Sequence, residues 1–522
     1  MSQQRLVFMR RASGLVRELT ATDVVIWSIA APTASGLLYY QVSTANEYPG
    51  ANPLLSFIIG GIILLPLVIA LATLMRIMPR SGGMYVAISR LVDPSVGYVT
   101  GTVYAICQGL SAGVMAWVGT SVLSSCFSLS GHAGKIPSLV AVGEWMAATA
   151  GHTIVAIALT LIFWLVCLIS LRAVKLLMRV SFVLPLLATI VLIIFGGITS
   201  DATAAFDRTW GAGVFQKVLD AAAAQGWTPP PFSWASTIGL LLVVFWAYQS
   251  FEFASAVAGE VKNPQRSLFG GIIGGYFGTM LLYVIVTWSA WHPFVKSHFI
   301  QAYVFLYDNH PEVLQSIMPL SRPSLPLFLG SLIPSPWVAV VVMLLVSLWF
   351  YNTALPGIVV GARFLFAMSF DRQLPKAFAR VSRRGVPDIA THAMMVFGIL
   401  AILLNVYGVQ VVLGMVDITG YFPFWAFGLA AMMLPYKRPD IYMLSPMQSQ
   451  FLGIPVISWL GALATGIGWF LVAFSISPLG TGPQVMFCLT IFVLSILYMW
   501  SQQRNIKEGV DLSAIYAEIP PE

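Results

Sequence analysis

Long apolar runs, each closed by charges, proline or glycine, succeed one another along nearly the whole chain of 522 residues. A helix needs about 20 predominantly apolar residues to cross the hydrocarbon core of a bilayer. Twelve stretches meet that requirement: 23–44, 53–78, 95–128, 151–171, 174–199, 236–259, 267–292, 336–369, 388–407, 410–434, 454–475 and 483–501. The pattern predicts an all-α polytopic membrane protein with twelve transmembrane helices. Two outer connections, 200–235 and 293–335, are longer than the others and rich in Pro, Trp and His without a periodic pattern, and they are expected to form ordered caps.

Composition agrees with this reading and orients it. Hydrophobic residues make up 58% of the chain and charged residues 9%, against about 25% charged in a soluble domain. The bilayer is therefore the solvent. With the N-terminus inside, all but five of the 27 Lys and Arg residues fall in inner segments, and only Lys135, Arg208, Lys217, Lys296 and Arg322 fall outside. That asymmetry follows the positive-inside rule and predicts a multi-pass plasma-membrane protein with both termini cytoplasmic. It also accounts for the net charge of +7 without a nucleic-acid partner, because the basic residues are spread over seven short inner segments. The start of the chain carries Arg5, Arg10, Arg11 and Arg17 with no compact apolar region ending in small residues, so it reads as a cytoplasmic segment and not as a cleaved signal. Cys107, Cys126, Cys167 and Cys488 all lie in apolar stretches and form no C-x-x-C pair, which argues against a zinc site or a disulfide framework.

Polar residues and helix breakers interrupt two spans at mid-depth. The first contains Pro32, Thr33, Ala34, Ser35 and Gly36; the sixth contains Trp246, Ala247, Tyr248, Gln249, Ser250 and Glu252. Proline removes a helical donor and crowds the preceding turn, and backbone freed in this way persists in a membrane only where protein or water satisfies it. Two interrupted helices at corresponding positions of two five-span halves point to a transporter's substrate site. A half-helix end can hold a substrate carboxylate by its N–H groups, and freed carbonyls can accept from an ammonium.

Three motifs then carry a resemblance. Met78-Pro79-Arg80-Ser81-Gly82-Gly83-Met84-Tyr85 resembles the P-x-S/A-G-G-x-Y signature of the amino acid-polyamine-organocation transporter superfamily. Phe245 to Glu252, continuing through Gly259-Glu260-Val261-Lys262-Asn263-Pro264-Gln265-Arg266, resembles its F-x-A-F-x-G-x-E … E-x-K-N-P-x-R pattern. Gly361-Ala362-Arg363-Phe364, Asp371-Arg372-Gln373-Leu374-Pro375 and Val386-Pro387 resemble its third conserved run. The resemblance implies a LeuT-like fold of two inverted five-helix repeats, 23–199 and 236–434, with helices 1 and 6 broken. The outer loop 200–235 separates them, helices 11 and 12 occupy 435–501, and 1–22 and 502–522 are cytoplasmic. It also implies alternating access. Where the family usually has G-S/T-G in span one this chain has Ala34-Ser35-Gly36, and the usual glycine of span six is Ser250.

The substrate-binding candidates are thus Thr33, Ala34, Ser35, Gly36, Gln108, Trp246, Ala247, Gln249, Ser250 and Asn352, with Glu252 and Asp417 as candidates for proton coupling or gating. An intramembrane carboxylate is a functional candidate by default, weighed against a carboxylate that only packs helices together. Asp417 serves equally as a substrate contact or an interfacial residue. Trp246 is set apart from the many other aromatics by a family position at the break. Gln108 and Asn352 either line the cavity or make interhelical hydrogen bonds. Glu260, at the inner end of span six, reads as structural.

The expected function is a symporter or exchanger for an amino acid or related amine. An organic cation or polyamine carrier is the alternative, and a membrane-embedded enzyme or non-transporting sensor a more distant one. The histidines sit near span ends or in outer segments, and no metal or nucleophile constellation emerges. No cofactor is expected beyond a coupling H+ or Na+. The partners are a small-molecule substrate and membrane lipid, while oligomeric state is not legible in the sequence.

Overall fold

The computed structural model describes residues 14–35, 41–407, 411–445, 447–477 and 480–518. The first half of the chain forms α1 (Ala21–Ser35), α2 (Pro53–Ile77), α3 (Gly83–Leu91), α4 (Pro94–Gly134), α5 (Pro137–Ala147), α6 (Thr149–Ile169) and α7 (Leu171–Ile198). A first outer cap follows, with α8 (Thr203–Trp210) and α9 (Val214–Ala224). The sixth apolar stretch is divided into α10 (Trp234–Gly239), α11 (Leu241–Tyr248) and α12 (Phe253–Ala256), and α13 (Pro264–Trp291) succeeds it. A second cap contains α14 (Phe299–Asn309), α15 (Pro311–Ile317) and α16 (Leu325–Gly330). The remainder forms α17 (Pro336–Val346), α18 (Tyr351–Phe370), α19 (Asp388–Val406), α20 (Val411–Lys437), α21 (Pro439–Tyr442), α22 (Val456–Ile476), α23 (Thr481–Lys507) and α24 (Leu512–Ala517). A two-stranded hairpin, β1 (Gln450–Phe451) with β2 (Ile454–Pro455), precedes α22.

Among the described residues, ten helical segments are long and apolar enough to cross a membrane. They coincide with ten of the stretches read from hydropathy, and α1 and α20 occupy the places of the other two. The ends are set by local chemistry. Asn52 accepts from the Leu55 N–H at 3.2 Å and Pro53 opens α2. Asp93 accepts from the Ser95 N–H at 2.7 Å at the start of α4, and Ser170 separates α6 from α7 by accepting from Ala173 N–H at 3.1 Å. Side chains at Ile154, Ile162, Leu165, Leu176, Leu187, Ile194, Leu489 and Phe492 are exposed along α6, α7 and α23. Rows of exposed branched apolar side chains on long helices are what lipid, and not water, accommodates.

The centre is α4, which packs against α17, α18, α19 and α20. Its 41 residues span about 60 Å at 1.5 Å per residue, so it projects beyond the hydrocarbon layer. Its crossing with α19 is close because Gly113 faces the Gly398 carbonyl, where any Cβ would collide. Nearly all of α18 is buried.

Four differences from the sequence reading stand out. The short helix α3 had no apolar run to announce it. The expected eighth span is interrupted by a tight turn at Ser347–Phe350 between α17 and α18. The outer connections, read as lacking a period, contain helices; in α9 Val214, Phe215, Val218 and Ala222 face inward at helical spacing. Phe215 stacks on Phe299 with ring centroids 4.0 Å apart, and Phe206 and Phe294 complete this cap core. Finally, α1 runs on through Pro32 to Ser35, so the expected break of span one lies outside the described residues.

Candidate substrate site

Span six opens where the sequence placed its polar cluster. Helix α11 ends at Tyr248; Gln249 is extended, with φ −59° and ψ 154°. Ser250 takes φ 86°, a conformation glycine adopts freely and an L-residue pays for in strain. That is the physical reason for the family's glycine at this place. Helix α12 resumes at Phe253, and Asn263, at φ 49°, turns the chain into Pro264 and α13.

The freed backbone is satisfied by hydroxyls from neighbouring helices. Pro32 has no N–H to offer the Ser28 carbonyl, which accepts instead from Thr279 Oγ1 at 3.3 Å. Thr353 donates to the Ala31 carbonyl at 2.5 Å. The Tyr283 hydroxyl lies 2.7 Å from both the Pro32 and the Ala247 carbonyl oxygens. One hydroxyl proton serves one acceptor at a time, so this side chain bridges α1 and α11. Tyr248 and Tyr276 donate to the Phe57 and Gly61 carbonyls of α2 at 3.0 and 2.8 Å.

Between these elements lies a cavity of ≈ 30 Å³. Ala31 and Pro32 line it from α1, Cys107, Gln108, Ser111 and Met115 from α4, and Trp246 from α11. Gln249 and Ser250 contribute from the break, Phe253 from α12, Thr353 from α18 and Val416 from α20. None of these side chains is charged. At about 10–15 Å³ per water, the space holds about two waters and no amino acid, so a wall must move to admit one.

Glu252 sits immediately behind the cavity and is 1% exposed. Its Oε1 accepts from the Tyr104 hydroxyl at 2.6 Å and its Oε2 from the Ser250 N–H at 2.9 Å. No cationic side chain is paired with it among the described contacts. The carboxylate thus links the left-handed Ser250 to α4.

The sequence-predicted residues therefore part company. Gln108, Trp246, Gln249 and Ser250 line the cavity. Ala247 is one residue removed and contributes only its carbonyl to Tyr283. Asn352 faces α7: its Oδ1 accepts from Ser181 Oγ at 2.6 Å and its Nδ2 donates to the Ser181 carbonyl at 2.6 Å. Its neighbour Thr353 faces the cavity instead. The side chains of Thr33, Ala34, Ser35 and Asp417, and the whole of Gly36, lie outside the described residues. The reading missed Tyr104, Ser111 and Met115 as neighbours of Gln108, although their positions at i−4, i+3 and i+7 on one helix made them its natural companions. Phe253, Val416, Cys107 and Tyr283 carried no comparable signal.

The three sequence motifs meet at the inner end of the site. The Gly82 N–H donates to the Ala256 carbonyl at 2.8 Å; Gly82 has φ 77°, and a Cβ there would come within 2.5 Å of the Ala367 Cβ. Glu260 accepts from Arg363 Nε and Nη2 at 2.9 and 3.0 Å, with both side chains buried. The Glu260 carbonyl takes the Glu18 and Leu19 N–H groups at 2.9 and 3.0 Å. Asp371 accepts from Tyr85 at 2.8 Å and pairs with Arg90, whose Nη2 is 2.7 Å from Oδ1. Asp23 accepts from Arg179 at 2.7 Å and from the Thr20 N–H at 2.8 Å. Glu260 is thus a helix-joining group, and these contacts tie α1 to α7, and α3 and the span-six segment to the α18 region. Toward the C-terminal end of α13 Gln41 is held by Thr287 and Trp291, and Asn46 donates to Asp308 at 3.1 Å.

Residues 23–507 match the family model described as amino acid permease. The chain belongs to the amino acid permease family. This permease is 24% identical over 437 residues to the lysine-specific permease LysP of Escherichia coli, covering 82% of this chain and 80% of that one. It is 23% identical over 509 residues to the branched-chain amino acid permease BcaP of Bacillus subtilis, covering 94% of each. It is also 25% identical over 284 residues to the methylthioribose transporter of Bacillus subtilis, covering 53% of this chain and 55% of that one. The family is one of transporters, not enzymes. The relatives' names do not agree on one substrate, so the permease's own cavity must supply that information.

Proposed function

We propose that this permease is a secondary active transporter that moves an amino acid across the plasma membrane by alternating access. Twelve spans, arranged as two inverted five-helix repeats with helices 1 and 6 broken and two further helices outside them, are the LeuT-like architecture this reading assumes. The single observation that carries it is the opened backbone at Gln249–Ser250, set against α1 around a small cavity whose described lining is uncharged. The C-terminal ends of α1 and α11 both approach this space, and a helix C-terminus carries partial negative charge. Together they suit a substrate ammonium. The family resemblance assigns its carboxylate to the break in span one, which lies outside the described residues.

Glu252 is the proposed coupling group. A buried carboxylate bonded to two donors and to no cation can take up and release a proton as Tyr104 and Ser250 move. A proton is the proposed coupling ion because Glu252 is a buried carboxylate with no cationic partner among the described contacts. The organic-cation reading is disfavoured because none of the described residues lining the cavity is acidic.

Uptake of labelled amino acids into proteoliposomes tests the proposal. Accumulation driven by an inward proton gradient, and insensitive to sodium, is the expected result. Failure of every amino acid to accumulate or exchange would overturn it.

A further inference from the structure

The cavity has two unlike walls. One is formed by Ala31 and Pro32 of α1 and the span-six break, which in the proposed function takes the substrate's charged ends. The other is the α4 face, carrying Gln108, Ser111 and Met115, and it is left to the substrate's side chain. On that wall Gln108 is 3% exposed, and among the described residues its Oε1 has no hydrogen-bond partner. An amide oxygen held dry without a donor is costly, and here it borders the cavity. Across from it stands Gly357 of α18, where a Cβ would lie 3.6 Å from that oxygen.

We propose that Gln108 reads the side chain of the substrate, and that the substrate is a neutral amino acid whose short side chain carries a hydrogen-bond donor, a hydroxyl or a carboxamide. The inference rests on the permease site described above. An acceptor without a donor selects for an O–H or N–H group. Among the described lining residues there is no acid to give a lysine or arginine side chain a counter-charge, and an unpaired charge in such a site is strongly disfavoured. The thiol of Cys107 donates to the Val416 carbonyl at 3.2 Å where both line the cavity, and the small volume of that cavity favours a short side chain. Purely aliphatic side chains of the same size would leave Oε1 unsatisfied.

Threonine and valine have the same shape and differ by one hydroxyl, so they isolate the effect. The experiment is competition of unlabelled L-threonine, L-valine and L-lysine against labelled L-threonine uptake in proteoliposomes, with ligand-induced thermal stabilisation of the purified protein as a second readout. In the native protein threonine is expected to outcompete valine by about 3- to 10-fold, the range of one net hydrogen bond, and lysine not to compete. In the Gln108→Met variant, a near-isosteric change, the threonine preference is expected to fall to within about 2-fold while valine binding persists. Equal affinity for threonine and valine in the native protein would overturn the proposal, whatever the variant's stability. So would an equal loss of both ligands in a folded variant, which assigns Gln108 to structure alone, or competition by lysine. If valine or lysine is transported and threonine is not, the inference fails while the permease reading stands; if none of the three binds or is transported, both fall.

Discussion

Glu260 and Arg363 offer a severe test of the way the three sequence motifs assemble. The guanidinium and carboxylate are 2% and 1% exposed and joined by two hydrogen bonds of 2.9 and 3.0 Å. Glu260→Leu leaves a buried guanidinium without its counter-charge, and breaking a buried pair in this way costs about 3–5 kcal/mol. Arg363→Met strands the carboxylate and should cost a similar amount. Replacing both at once removes the unpaired charge, and buried pairs exchanged for apolar groups of similar volume are often neutral or more stable. The double variant should therefore recover most of what either single variant loses. The coupling, read as a double-mutant cycle from reversible unfolding in mixed micelles, should approach the size of the single losses. Additive losses, or single losses below about 1 kcal/mol, would refute the reasoning, because the pair would then be hydrated and not the buried clamp described here.

Other expectations follow from the same contacts. Glu252→Gln keeps hydrogen bonding but removes the titrating proton, so uptake should lose its pH dependence; an unchanged pH profile would remove Glu252 from coupling. Ser250→Gly should raise unfolding stability by about 1 kcal/mol by relieving the positive φ, and a loss of stability would show that the serine side chain is needed there. Gly113→Ala puts a methyl group against the Gly398 carbonyl and should cost about 1–3 kcal/mol through overpacking. Gly398→Ala meets nothing nearer than 3.2 Å and should cost less; thermal melts of the two variants decide the order.

The membrane layout was legible because the bilayer leaves few choices: an apolar run of sufficient length must be a helix with its own hydrogen bonds satisfied. That is why boundaries such as 53–78 and 388–407 agree with α2 and α19 to within a residue. Helix α3 was not legible, because its nine residues are buried by partners far along the chain, such as Asp371 on Tyr85 and Arg90. The break in span six showed itself through Gln249, Ser250 and Glu252, polar groups without a reason to be at mid-depth. Which residue of an adjacent pair faces the cavity was not visible. Asn352 and Thr353 differ by about 100° around α18, and only the packing of α7 against α18 decides that Asn352 meets Ser181. The convergence of the three motifs was equally hidden, since Glu260 finds Arg363 103 residues later and no local rule joins them.

The central claim is that an amino acid occupies the cavity between the span-six break and α4. Ser111 lines that cavity, and a phenyl ring in place of its hydroxymethyl group overfills a space of ≈ 30 Å³. The most direct measurement is uptake of a labelled neutral amino acid into proteoliposomes by the native protein and by Ser111→Phe, each shown to be folded by its melting profile. The account predicts uptake by the native protein and none by the variant; equal uptake by both would contradict it.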